Sequence, residues 1–146
     1  IRDDKAALKL ALTLGTGTLA AKRKAAETLL KRAIDMHDIR AAQPALCVAL
    51  RDDDVVLRRL AMKATCERVM GAGADIRIAF PTLHILCSDA DTEVRLGAWE
   101  AVSMADARHV GLLPAFVGKA REFADDENEE IAGMAKRVLQ KASGES

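Results

Sequence analysis

Residues 44–64 read PALCVALRDDDVVLRRLAMKA, and residues 81–101 read PTLHILCSDADTEVRLGAWEA. The two stretches align without a gap. Pro44, Leu46, Leu50, Asp52, Leu57, Arg58, Ala61 and Ala64 match Pro81, Leu83, Cys87, Asp89, Val94, Arg95, Ala98 and Ala101, each 37 residues further on. In both, an acid follows the proline by eight positions, an apolar–Arg step comes next, and alanines follow the arginine at three and six. A proline, an acid and an arginine at fixed spacing are far more specific than shared hydrophobicity. Self-similarity at a period of roughly 20–50 residues marks a repeat architecture.

Working outward, another step of 37 from Val94-Arg95 lands on Ile131-Ala132, with Asp126, Ala135 and Val138 in register and the arginine lost. Pro114 follows Pro81 by only 33 residues. The first helix of the last hairpin is therefore expected to be longer by about one turn. A step of 36 back from Arg58 lands on Lys22, with Ala21, Ala25 and Thr28 in register, no proline, and Thr16 in place of the acid. The outer units are degenerate, as terminal repeats are when one face lacks a neighbour.

Each unit reads as two helices, over 3–14 and 18–35, 41–51 and 53–70, 75–87 and 90–105, then 109–124 and 127–142. The breaks carry helix-stop chemistry: Gly15-Thr16-Gly17-Thr18, Gly71-Ala72-Gly73, and acidic clusters at 52–54, 89–91 and 125–127. An aspartate just ahead of a helix caps its free N–H groups and complements its dipole. Composition agrees. Half of the 146 residues are apolar, mainly alanine and leucine, with no tyrosine and only 3% aromatics. Alanine and leucine are strong helix formers, whereas strands favour aromatic and β-branched side chains. The expected fold is all-α, about four helical hairpins and eight helices in a single domain over 1–146. Its repeats fall at about 1–38, 39–73, 74–107 and 108–142, and a tail at 143–146 is expected to fray.

The pattern resembles the HEAT family, in which two helices pair in each repeat. That family has a proline in the first helix, an acid in the turn, and a Val-Arg step opening the second. Here these are Pro44, Asp52, Leu57 and Arg58, then Pro81, Asp89, Val94 and Arg95. The resemblance covers nearly the whole chain and is strongest over 44–105. Armadillo repeats, close relatives, have a third helix for which there is no room here. The resemblance implies an α-α superhelix, or solenoid, whose second helices line a concave face. It also implies a structural ladder, in which the arginine of one repeat meets the acid of its neighbour, for Asp52, Arg58, Asp89 and Arg95.

Net charge is zero but unevenly spread: 14 Lys/Arg against 9 Asp/Glu over residues 1–73, and 8 against 13 over residues 74–146, hence +5 and −5. Overall neutrality argues against a dedicated nucleic-acid binder, whose footprint is strongly basic. Cys47, Cys66 and Cys87 fit neither a disulfide framework nor paired zinc ligands, and read as reduced thiols of an intracellular protein, cytoplasmic or nuclear. No apolar run approaches membrane-spanning length and no secretory signal is visible. The first residue is Ile rather than Met, so the chain is expected to be part of a longer protein or a larger assembly.

Catalytic chemistry finds little support. His37, His84 and His109 include no pair at i, i+4 and no His-Glu dyad. Helical-repeat di-iron hydroxylases use repeated His-Glu dyads, so no metal site is expected. No phosphate-binding glycine loop or Ser/His/Asp grouping is present, and Gly15-Thr16-Gly17 reads as a turn. A helical-repeat DNA glycosylase would want aromatics over a basic groove, and one Trp without Tyr fits poorly. No cofactor is expected. What remains is surface. At about 100° per residue, Val94, Ala98, Ala101, Val102 and Ala105 form the core side of the third repeat's second helix, with Leu96, Glu100 and Ser103 opposite and Trp99 flanking. Equivalent outward positions are Arg59, Lys63 and Cys66, then Arg23, Glu27 and Leu30.

The expected protein-binding face is Arg23, Arg59, Lys63, Leu96, Trp99 and Glu100. Trp99 reads equally as an interface anchor or as the filler of a gap between repeats. Lys22-Arg23-Lys24 with Lys31-Arg32 reads as a solvated helix face. The expected role is a non-catalytic scaffold or adaptor that binds a protein along the concave face. The alternatives are a nucleic-acid-binding HEAT module using the basic half and a HEAT-like lyase.

Overall fold

The computed structural model describes residues 4–69, 77–105 and 109–144. Among these residues there is no strand and there are eight α-helices. They are α1 (Asp4–Thr16), α2 (Leu19–Ile34), α3 (Gln43–Ala49), α4 (Val55–Ala64), α5 (Phe80–Leu86), α6 (Thr92–Ser103), α7 (Val117–Phe123) and α8 (Glu129–Ala142). The protein is all-helical, as its composition predicts. The expected stop at Gly71-Ala72-Gly73 lies outside the described residues. No described helix is long and apolar enough to cross a membrane.

The even-numbered helices all start from one device. A side-chain oxygen of the residue before the helix accepts a backbone N–H three residues on: Thr18 from Ala21, Asp54 from Leu57, Asp91 from Val94 and Asn128 from Ile131, at 2.8–3.2 Å. Each cap satisfies one of the N–H groups that an α-helix leaves without an internal partner. In the last three, the aspartate two residues earlier shapes the turn. Asp52, Asp89 and Asp126 each accept the N–H of the capping residue, at 2.9, 2.8 and 2.8 Å. The repeated acid thus builds the turn, and the residue two places later starts the helix.

The odd-numbered helices past α1 start differently. Three-residue 3-10 turns, Arg40–Ala42 and Arg77–Ala79, lead into α3 and α5. Pro44 and Pro81 are the second residues of those helices. Proline has no N–H to bond the carbonyl four residues back and its ring collides with that carbonyl, so regular α-helix cannot run through it from behind. The tighter 3-10 turn supplies the approach. Ahead of α7 the 3-10 lead is seven residues, Val110–Phe116, and contains Pro114. All three α-segments have seven residues, so the extension expected from the proline spacing lies wholly in the lead.

The chain divides into two compact units, Ile1–Ala79 and Phe80–Ser146. In the first, α2 packs against α1 and α4, while α3 packs against α1 and α4. In the second, α6 packs against α5 and α8, and α7 against α8. Each unit therefore holds two successive helical hairpins. The shared register is core: Leu57, Val94 and Ile131, Ala61, Ala98 and Ala135, and Ala64, Ala101 and Val138 are each 0% exposed. Alanine at the middle position lets neighbouring helices approach, and the larger residues around it supply the buried area that drives folding.

Candidate functional site

The second helices carry the expected binding face, and the structure redistributes it. Trp99 is not on the surface. It is fully buried, its indole N–H donates to the Cys87 carbonyl at 3.0 Å, and its ring lies 5.8 Å from that of Phe123. Cys87 follows the end of α5, where carbonyls lack partners within the helix, so Trp99 closes that end and fills the space beneath it. Its burial fits the filler of a gap and not an exposed interface anchor. The signal was in the register: Met62 and Ala26, one and two steps earlier, are apolar and also buried. Ser103, placed outward by angle alone, is buried too, because α6 is flanked by both α5 and α8.

Arg23 also has structural work. Its Nε and Nη2 donate to the two carboxylate oxygens of Asp54, at 2.9 and 2.5 Å. This two-pronged pair holds α2 against the start of α4. The Arg23 hydrogen bond, helped by the Leu57 N–H, pulls the Asp54 carboxyl below its ordinary range despite partial burial. The link is made by Arg23 rather than by Lys22, which occupies the arginine position of the register. Lys63 and Glu100 are exposed, and Arg59 and Leu96 are half-buried.

The ladder residues divide their contacts. Within each hairpin the arginine meets a backbone carbonyl: Arg58 Nη1 donates to the carbonyls of Asp52 and Asp53, and Arg95 Nη1 to that of Asp89, all at 3.0 Å. Between hairpins of the second unit, Arg95 Nε lies 3.4 Å from Asp126 Oδ2. Two lysines add further cross-links. Lys141 Nζ donates to the carbonyls of Ser103 and Ala105, at 2.6 and 3.1 Å, closing the end of α6. Lys119 donates to the carbonyl of His84. Neither lysine stood out in the sequence, since neither recurs in the two central repeats: the register of Lys141 holds Met104 and Glu67 there.

Two of the three histidines pack against aromatic rings. His109 is buried with its ring 5.9 Å from Phe80. His84 stands edge-on to Phe116 at 5.0 Å, with Nε2 3.1 Å from the Ala115 carbonyl. His37 is exposed. Burial pushes the Cys87 thiol far above the usual range, and the half-buried Cys47 thiol upward. A buried thiol held in its neutral form is a poor nucleophile.

One register position is both charged and exposed in all four second helices. It reads Glu27, Lys63, Glu100 and Arg137, at steps of 36, 37 and 37, and each is exposed. In the second unit this position opens onto a groove of about 430 Å³ between α6 and α8. The groove is lined by Glu100 and Ser103 of α6, by Met104 at the cap of that helix, and by Glu129, Glu130, Gly133, Met134 and Arg137 of α8. These are i, i+3, i+4 spacings, so each helix offers one stripe. Compared with known proteins, the chain matches no protein-family model and no curated protein.

Proposed function

We propose that the chain is a HEAT-like α-solenoid segment that works as a non-catalytic scaffold, binding a protein along the face formed by its second helices. The observation that carries this reading is the exposed register of Glu27, Lys63, Glu100 and Arg137. Around it, polar chemistry is spent on the fold itself: the acids build turns and caps, Arg23 and Arg95 join hairpins, and the buried histidine and tryptophan fill space. A position that recurs in every repeat yet joins nothing in the core is where a repeat scaffold varies its surface to suit a partner. Its alternating sign suits a polypeptide with mixed charge better than a phosphate backbone, which needs a continuous basic track.

A photo-crosslinking residue placed at Lys63 or Glu100 tests the assignment against the same residue at Val48 or Ile85, which are exposed on first helices. Adducts to protein in a cell extract are expected from the first pair only. Equal capture from both pairs, or capture only from Val48 and Ile85, removes the assignment. Adducts at Lys63 that nuclease digestion abolishes would transfer the face to nucleic acid.

A further inference from the structure

We infer that the groove between α6 and α8 is a docking site for a cationic amphipathic helix, which seats one long apolar side chain on Met104 and Met134 and turns its lysines or arginines toward Glu100, Glu129 and Glu130. The inference deepens the protein-binding reading above and rests on it.

Shape comes first. Glu130, Gly133, Met134 and Arg137 climb one side of α8 over eight residues, roughly 10 Å of helix at the standard rise, and Glu100, Ser103 and Met104 face them from α6 and its cap. A trough of that length takes about two turns of a helix laid along it. Its floor is soft. Met104 is 51% exposed, Met134 is half-buried, and thioether side chains adapt to the shape of an incoming apolar residue. Gly133 keeps the trough open: a Cβ built there meets nothing within 4 Å, so packing inside the protein does not exclude a side chain.

Charge selects the occupant. Three carboxylates and one guanidinium line the groove, within residues 74–146 that carry 8 basic against 13 acidic side chains. Glu129 and Glu130 also sit in the first turn of α8, where acids favour the helix dipole. That role explains two acids at a helix start, but not Glu100, which reaches the same groove from another helix. Nor does it explain the two methionines between them. A partner with positive charge on either side of an apolar residue matches the three carboxylates and the methionines, whereas a nucleic acid or an acidic peptide matches Arg137 alone.

The test uses the full chain and a synthetic helical peptide of about 15 residues, long enough to hold a helix, with leucine on one face and lysine flanking it. A second peptide carries glutamate at each lysine position. Binding is read by fluorescence anisotropy at near-physiological salt, beside sedimentation of the chain alone. The lysine peptide is expected to bind, the glutamate peptide not, and rising salt to weaken the complex. Gly133→Leu fills the trough with a good helix former, so its thermal unfolding should hold or rise while peptide affinity drops by about tenfold or more. Glu100→Lys should weaken binding without loss of helicity.

Equal binding of both peptides, or unchanged affinity in Gly133→Leu, overturns the groove assignment. So would a salt-sensitive self-association that Gly133→Leu abolishes, because the occupant is then a second copy of the chain. Crosslinks at Lys63 that persist while the peptide fails would leave the wider binding face standing and remove only this occupant.

Discussion

At the scale of single residues, Met36 shows a cost that packing does not require. α2 ends with Met36 at φ 67°, in the left-handed region. The Met36 N–H bonds the Ala33 carbonyl at 3.0 Å and the His37 N–H bonds that of Arg32 at 2.9 Å. That pair of bonds closes a helix in the Schellman manner, with glycine favoured at the left-handed position because it has no Cβ to strain. Met36 is 75% exposed, so its side chain contributes little in return. Met36→Gly is expected to stabilise the protein by about 1 kcal/mol, read as a higher urea midpoint at unchanged slope. A lower midpoint would mean that the methionine makes a contact outweighing its backbone strain. Trp99 behaves oppositely. Trp99→Phe keeps much of the buried area but leaves the Cys87 carbonyl without its donor, a loss of about 1–3 kcal/mol. Trp99→Ala adds a cavity and should cost about 3–5 kcal/mol. If denaturant titration finds both nearly neutral, the indole is not the closure of α5 that its geometry describes.

At the scale of elements, the helix starts were legible because capping is local chemistry. The aspartate clusters marked the turns, and the two-step device of turn-builder and cap lies inside them. What stayed hidden was which oxygen meets which N–H, since Asp52, Asp53 and Asp54 are alike until the backbone turns. The 3-10 leads were hidden too, because proline spacing locates a helix start without stating the geometry of the approach. The site was harder than the fold. Helical angle alone placed Trp99 at the rim of the exposed stripe, whereas the packing of α6 between α5 and α8 covers that rim. Arg23 could not be told from a solvated charge, because its partner Asp54 lies 31 residues away.

Two predictions belong to this scale. Asn128→Ala removes the α8 cap, which accepts from both Glu130 and Ile131, and should cost about 1 kcal/mol. Protection from hydrogen exchange should fall first in the opening turn of α8, and uniform loss would contradict a local cap. Asp54→Asn keeps an amide able to cap α4 but discards the charge paired with Arg23. The Asp54 carboxyl titrates below its ordinary range in the folded state, so its contribution is present at neutral pH. It fades as pH falls below the unfolded value of about 3.9 and through the folded one. Wild type should therefore be the more stable at about pH 6 and should converge on Asp54→Asn as pH falls through the lowered folded value. A difference that ignores pH would assign the effect to something other than the ion pair.

At the scale of the whole molecule, charge makes a prediction that needs no account of shape. The chain is neutral overall, yet carries +5 over residues 1–73 and −5 over residues 74–146. Zero net charge removes the long-range repulsion that keeps copies of a protein apart, and opposite signs within one sequence give them a reason to attract. At about 0.01 M salt, charges act over roughly 30 Å, and at about 0.15 M over roughly 8 Å. Light scattering near pH 7 should thus report attraction between copies at low salt, weakening steadily as salt rises. The effect is summed over many surface side chains and owes nothing to one groove, so Gly133→Leu, which changes no charge, should leave it intact. Scattering that is flat with salt would show that the imbalance along the sequence is neutralised within each molecule by pairing of its own side chains.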